Sequence, residues 1–117
     1  KNPFVIWGDG SPIREYIFAG DVARGMILAL EKYCKADPVN LSSGEYVTIN
    51  DLAKKILKIC NHNPKIIFDK SKPGGQSRRV LINQKAEQVL GFKALTSLDE
   101  GLKSTIDWIG NNIKFND

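Results

Sequence analysis

Apolar and polar positions change period several times along this chain, and each change marks an element. Phe4-Val5-Ile6-Trp7 is a continuous apolar, β-prone run. Gly8-Asp9-Gly10-Ser11-Pro12 is dense in turn formers, with glycines for positive φ and a proline that fixes φ. Arg14 to Phe18 is β-prone again, so residues 4–18 read as strand, tight turn, strand, a surface hairpin. Helical spacing follows, with Asp21 as N-cap and Val22, Met26, Ala29, Leu30 and Tyr33 as the buried stripe. That helix should end near Cys34 to Ala36, because the residue before Pro38 avoids the α region.

Val39-Asn40-Leu41 is short and β-like, and Ser42 to Glu45 is a loop. Thr48 opens a second helix, with Asp51 three residues on in a weak capping box. Its apolar face is Ile49, Leu52, Ala53, Ile56 and Cys60, while Lys54, Lys55 and Lys58 point to solvent. Asn61-His62-Asn63-Pro64 ends it, and Lys65 to Phe68 is the next strand. Residues 69–79 form a loop and Val80-Leu81-Ile82 is extended. Asn83 caps a short helix from Gln84 to Leu90, and Gly91 is its left-handed stop. Ser97-Leu98-Asp99-Glu100 is a full capping box for the last helix. Leu98, Leu102, Ile106, Ile109 and Ile113 form its stripe, and Lys114 to Asp117 should fray.

The fold class is therefore α/β with α+β character: one small mixed domain, residues 1–117, of short strands and about four helices. The order is too irregular for a doubly wound sheet, and there is no internal repeat.

Composition narrows the function classes. Hydrophobic content of 42% and charged content of 26% suit a globular protein. No apolar run approaches the roughly 20 residues that cross a bilayer, which points away from a membrane partner. A net charge of +4 permits an anionic partner. Nucleic acid is disfavoured, because the charge is dispersed and residues 71–79 contain no aromatic platform. Cys34 and Cys60 fall on apolar helix faces, which reads as two buried, reduced thiols in a cytoplasmic protein. With one His and no CxxC or HxxxH spacing, no metal site is expected. His62 is read as a turn residue. The chain begins at Lys1 and its only Met is Met26, which reads as a segment of a longer protein.

Two places carry candidate chemistry. Trp7 and Arg14 flank the first turn, and a planar aromatic with a guanidinium fork suits a flat or phosphorylated ligand. The same pair also suits a hairpin with a half-buried Trp and an exposed Arg. In Ser71-Lys72-Pro73-Gly74-Gly75-Gln76-Ser77-Arg78-Arg79, a tight backbone-exposed turn is combined with cations that can grip phosphate oxygens. The loop lacks the P-loop pattern, G-x-G-x-x-G fails after Gly10, and no Tyr precedes a Lys by four residues. No catalytic residue is assigned.

Five stretches together resemble the C-terminal substrate-binding region of extended short-chain dehydrogenase/reductases that act on nucleotide sugars, the GDP-L-fucose synthases above all. Val5 to Glu15 is similar to that family's W-G-x-G-x-P-x-R-[ED], and Asn40 to Glu45 to its N-x-G-[ST]-G-x. Phe68 to Gly75 is similar to F-D-x-S-K-P-D-G, Leu90-Gly91-Phe92 to L-G-[WF], and Ser97 to Leu102 to S-L-x-x-G-[LI]. Two departures stand out: Phe18-Ala19-Gly20-Asp21 replaces a His-Val-Asp-Asp-like run, and Gly74 replaces the loop's aspartate. The resemblance implies contacts to a nucleotide-diphosphate sugar, a GDP-sugar foremost, at Trp7, Arg14, Lys72 and Arg78. It also implies that NAD(P) and the catalytic residues belong to a preceding Rossmann domain absent from this chain. The chain alone is then expected to be inactive and monomeric.

Overall fold

A computed structural model describes residues 2–113. Its elements are β1 (Phe4–Trp7), β2 (Ile13–Glu15), α1 (Ala19–Lys32), β3 (Tyr46–Thr48), α2 (Ile49–Ile59), β4 (Ile66–Asp69), α3 (Gln84–Leu90) and α4 (Leu98–Asn112). The mixed architecture of short strands and four helices matches the expected class. The chain divides into two compact units. The first gathers the described parts of Lys1–Arg14, Val47–Arg79 and Leu102–Asp117, and the second gathers Glu15–Tyr46 and Val80–Gly101.

In the first unit β1 and β4 run parallel, with Phe4 opposite Ile66 and Trp7 opposite Asp69. This replaces the expected hairpin, since β2 pairs with β3 instead. The turn between β1 and β2 is committed elsewhere. The carbonyls of Gly10 and Pro12 each accept at 3.0 Å from the first N–H groups of α2, those of Asn50 and Ile49. The Thr48 hydroxyl accepts from Asp51 N at 3.0 Å, so the expected cap forms and the start of α2 is satisfied. Ile6, Val47 and Ala53 are buried in this unit, as are Pro12 and Pro64.

In the second unit Ala86, Leu90 and Phe92 are buried, and Leu28, Ala29, Tyr33, Val39 and Leu41 pack against them. The face that α1 buries matches the expected stripe only in part, at Ala29 and Tyr33. Met26 is 61% and Leu30 75% exposed, whereas Asp21 and Gly25 are buried. A β-carbon on Gly25 would meet Leu41 at 2.6 Å and Phe92 at 3.1 Å, so α1 packs through its lack of a side chain. Asp21 is not the N-cap either. That position is Phe18, whose carbonyl accepts from Asp21 N at 3.0 Å.

Asp21 works instead from inside the helix. Its carboxylate accepts from Leu95 N at 3.1 Å, Thr96 N at 3.0 Å and Arg24 at 3.0 Å. Burial alone would raise its pKa, but these donors outweigh burial and hold it below the ordinary value. Glu15 plays the same part beside Ser42, whose hydroxyl donates to it, and accepts from Leu81 N at 3.0 Å and Ser43 N at 2.7 Å. Its pKa too is lowered against the opposing pull of burial.

Helix α1 ends at Lys32, short of the expected Cys34 to Ala36, with Tyr33 as its cap. Gln84–Leu90 and the left-handed Gly91 (φ 66°) match expectation, as does the Ser97–Glu100 box, with Ser97 N donating to Glu100 at 3.0 Å. Asn83 occupies the cap position of α3, but its side chain makes no cap bond and donates instead to the carbonyl of Phe92 at 3.3 Å. Neither Val39-Asn40-Leu41 nor Val80-Leu81-Ile82 is a strand, because neither finds a ladder partner, and Tyr46–Thr48 is one. Cys34 and Cys60 are both exposed, correcting the expectation of two buried thiols. The frayed tail lies outside the described residues. No described helix is long and apolar enough to cross a membrane.

Candidate functional site

Parallel pairing brings the ends of β1 and β4 to the same edge, so the turn after Trp7 and the loop after Asp69 leave the sheet side by side. Gly8 N donates to the Asp69 carbonyl at 2.9 Å and Lys72 N donates to it at 3.2 Å. Each segment then closes on an aspartate two residues before a serine. Asp69 Oδ1 accepts from Ser71 N at 3.0 Å and from its hydroxyl at 2.6 Å. Asp9 Oδ1 accepts from Ser11 N at 2.9 Å and from its hydroxyl at 2.7 Å. Those bonds, the Ser11 hydroxyl foremost, hold the Asp9 carboxyl below its ordinary pKa.

The two segments touch through glycines. Gly8 has φ +78°, and a β-carbon there would stand 2.8 Å from the Gly74 α-carbon. Further along, Ile13 N donates to the Ser77 carbonyl at 2.9 Å and Arg79 N to the Ile13 carbonyl at 3.1 Å, a parallel bridge between Ile13 and Arg78.

This frame places the four sequence-predicted residues as follows. Lys72 Nζ lies 5.9 Å from the Trp7 ring centre, a cation–π pair. Trp7 itself is 64% exposed, rather than half-buried. Arg14 donates to the Ile13 carbonyl at 2.8 Å, and a terminal nitrogen of its guanidinium lies 3.2 Å from where a Gly75 β-carbon would stand. Arg78 is registered with Ile13. Trp7 and Lys72 thus meet, Arg14 borders Gly75 of the loop, and the backbone on either side of Arg78, at Ser77 and Arg79, is tied to Ile13 of β2.

Between the two segments is an open depression of about 390 Å³, lined by Gly8, Pro12, Lys70, Lys72, Gly74 and Gly75 among others. Of the four predicted residues only Lys72 lines it. Lys70 was missed, and its only sequence signal was its place in a basic loop. A second depression, about 330 Å³, lies beyond the end of α2 with Lys54, Lys58 and His62 on it. Among the described residues no cluster of His, Cys, Asp or Glu could hold a metal ion.

A strand-end cleft with a basic glycine loop and an exposed indole suits a phosphorylated ligand. Residues 1–42 match the model of the NAD dependent epimerase/dehydratase family. Similarity to individual proteins extends over nearly the whole chain. The chain is 35% identical over 109 residues to the probable GDP-L-fucose synthase 1 of Oryza sativa subsp. japonica, covering 93% of this chain and 33% of that one. The UDP-glucose 4-epimerase of Thermotoga maritima, solved with UDP-glucose, superposes with a TM-score of 0.85 at 30% identity, over 94% of this chain and 35% of that one. A GDP-L-fucose synthetase of Naegleria fowleri bound to NADP gives 0.84 at 26% identity, over 92% and 34%. The chain spans about a third of the length of the curated relatives it matches.

Proposed function

We propose that this chain binds and positions a nucleotide-diphosphate sugar, a GDP-sugar in preference to a UDP-sugar, at the edge where β1 and β4 end. Arg14 and Lys72 neutralise the diphosphate, Trp7 packs near the sugar or base, and Arg78 lies close to the diphosphate. The observation that carries this reading is the S-K-P-G-G loop laid against the W-G-D-G-S-P turn, with the Lys72 ammonium beside the Trp7 indole.

The chemistry fits such a ligand. Two guanidinium and ammonium groups supply charge-assisted hydrogen bonds of about 1.5–3 kcal/mol each. Holding the sugar still is then the contribution of this chain to catalysis. Epimerisation, reduction or dehydration requires NAD(P), supplied with a separate dinucleotide-binding domain. This chain's own residues include no dinucleotide fingerprint, so it performs no turnover alone. The 30% identity to a UDP-glucose 4-epimerase favours a second reading, a UDP-sugar site.

Calorimetric titration of the chain with GDP-L-fucose and with UDP-glucose tests the proposal. Binding should fall between about 10 µM and a few mM after ordering costs, tighter for the GDP-sugar, and Arg14→Ala should abolish it. Tighter binding of UDP-glucose selects the second reading. No heat with either ligand at several millimolar contradicts both.

A further inference from the structure

We propose that Lys70 is a further binding residue, forming with Lys72 a two-ammonium cradle for the ligand's diphosphate in the depression between the two segments. The proposal rests on the nucleotide-sugar reading above and adds a residue to that site. Four observations support it. Lys70 and Lys72 both line the depression, two residues apart on one loop. The backbone N–H groups of Gly74 and Gly75, which also line it, donate to no acceptor among the described residues. Ser77, on the same wall, has a hydroxyl with no hydrogen-bond partner there. The one carboxylate on the wall, Asp9, has Oδ1 occupied by Ser11.

Two ammonium groups, two unspent N–H donors and one hydroxyl match the oxygens of a pyrophosphate, which are all acceptors. Asp9 is the counter-charge near Lys70, whose ammonium adds slightly to the lowering of the Asp9 pKa. A diphosphate arriving there meets a site with two cations against one anion, a net positive charge that attracts it. Trp7, outside the depression, is left for the base or sugar, and Arg14 reaches the diphosphate from beside Gly75.

The test compares the unaltered chain with Lys70→Ala and Lys70→Arg, using inorganic pyrophosphate and GDP-L-fucose as probes at two salt concentrations. Lys70→Ala should weaken both ligands five- to tenfold and flatten their dependence on salt. Lys70→Arg should stay within twofold of the unaltered chain. Circular dichroism should be unchanged, since Lys70 is exposed. If the unaltered chain binds GDP-L-fucose and Lys70→Ala binds it equally well, the role of Lys70 is overturned while the nucleotide-sugar reading stands. If pyrophosphate binds but responds to neither variant, it is an adventitious ion only, and the cradle is overturned. If the unaltered chain binds neither probe, the site reading fails and the cradle falls with it.

Discussion

Gly8 and Gly74 meet backbone to backbone: a β-carbon on Gly8 would stand 2.8 Å from the Gly74 α-carbon, whereas one on Gly74 would meet nothing nearer than Pro12 at 3.7 Å. The contact is one-sided, so the two glycines should respond differently. Gly8→Ala combines a backbone clash with a side chain at φ +78°, and should cost about 1–3 kcal/mol by urea denaturation. Gly74→Ala has ordinary van der Waals room and should stay within about 0.5 kcal/mol. Equal losses from both would mean that the loop does not rest on the turn.

Trp7 and Lys72 are held as an exposed cation–π pair, worth about 0.5–1 kcal/mol at such a site. Lys72→Ala should therefore move the Trp7 indole resonance and leave that of Trp108 in place. Its effect on stability should be under about 1 kcal/mol, while its effect on GDP-L-fucose affinity should exceed fivefold. A large stability loss would assign Lys72 a structural role instead.

Asp21 should govern acid stability. Its folded pKa is below the unfolded value of about 3.9. The carboxylate therefore contributes stability above pH about 4, and that contribution is lost as pH falls through the folded pKa. Asp21→Asn keeps the shape and removes the charge. It should lower the melting temperature at pH 7 and flatten its decline below pH 4. Asp21→Ala leaves Arg24 and the N–H groups of Leu95 and Thr96 without their acceptor, at about 2–3 kcal/mol. An unchanged acid transition in Asp21→Asn would show that other carboxylates control it.

Thr48 and Asn83 both sit at helix starts, yet only Thr48 makes a cap bond. Thr48→Ala should cost about 1 kcal/mol by loss of the cap and reduce α2 helicity. Asn83→Ala should cost a similar amount by releasing Ser42 N and the carbonyl of Phe92, with α3 helicity unchanged. Hydrogen exchange across the two helices separates these outcomes.

The helices were legible where their signals are local. The Thr48 cap, the Ser97–Glu100 box and the Gly91 stop all lie within four residues of what they terminate. Strand pairing was not legible, because it depends on distant partners. Phe4–Trp7 shares its ladder with residues some sixty positions on, and no local pattern distinguishes this from a hairpin. The buried face of α1 was legible at Ala29 and Tyr33, and the rest was missed for a different reason. Periodicity weighs large apolar side chains, while this helix packs through a glycine and a carboxylate whose donors come from residues 95 and 96. In the candidate site, the motif residues Trp7 and Lys72 were legible and do meet. Lys70 was not, because the groove that sets it beside Gly74 and Gly75 arises only when two turns from separate strands lie together.

On the proposed reading the loop after β4 and the turn after β1 form one ligand site. A heteronuclear NMR titration of the chain with GDP-L-fucose tests it directly. The Trp7 indole and the amides of Gly74 and Gly75 should shift together along one saturable curve, while the groove at Lys54, Lys58 and His62 stays still. Shifts confined to that groove, or none at several millimolar ligand, would contradict it.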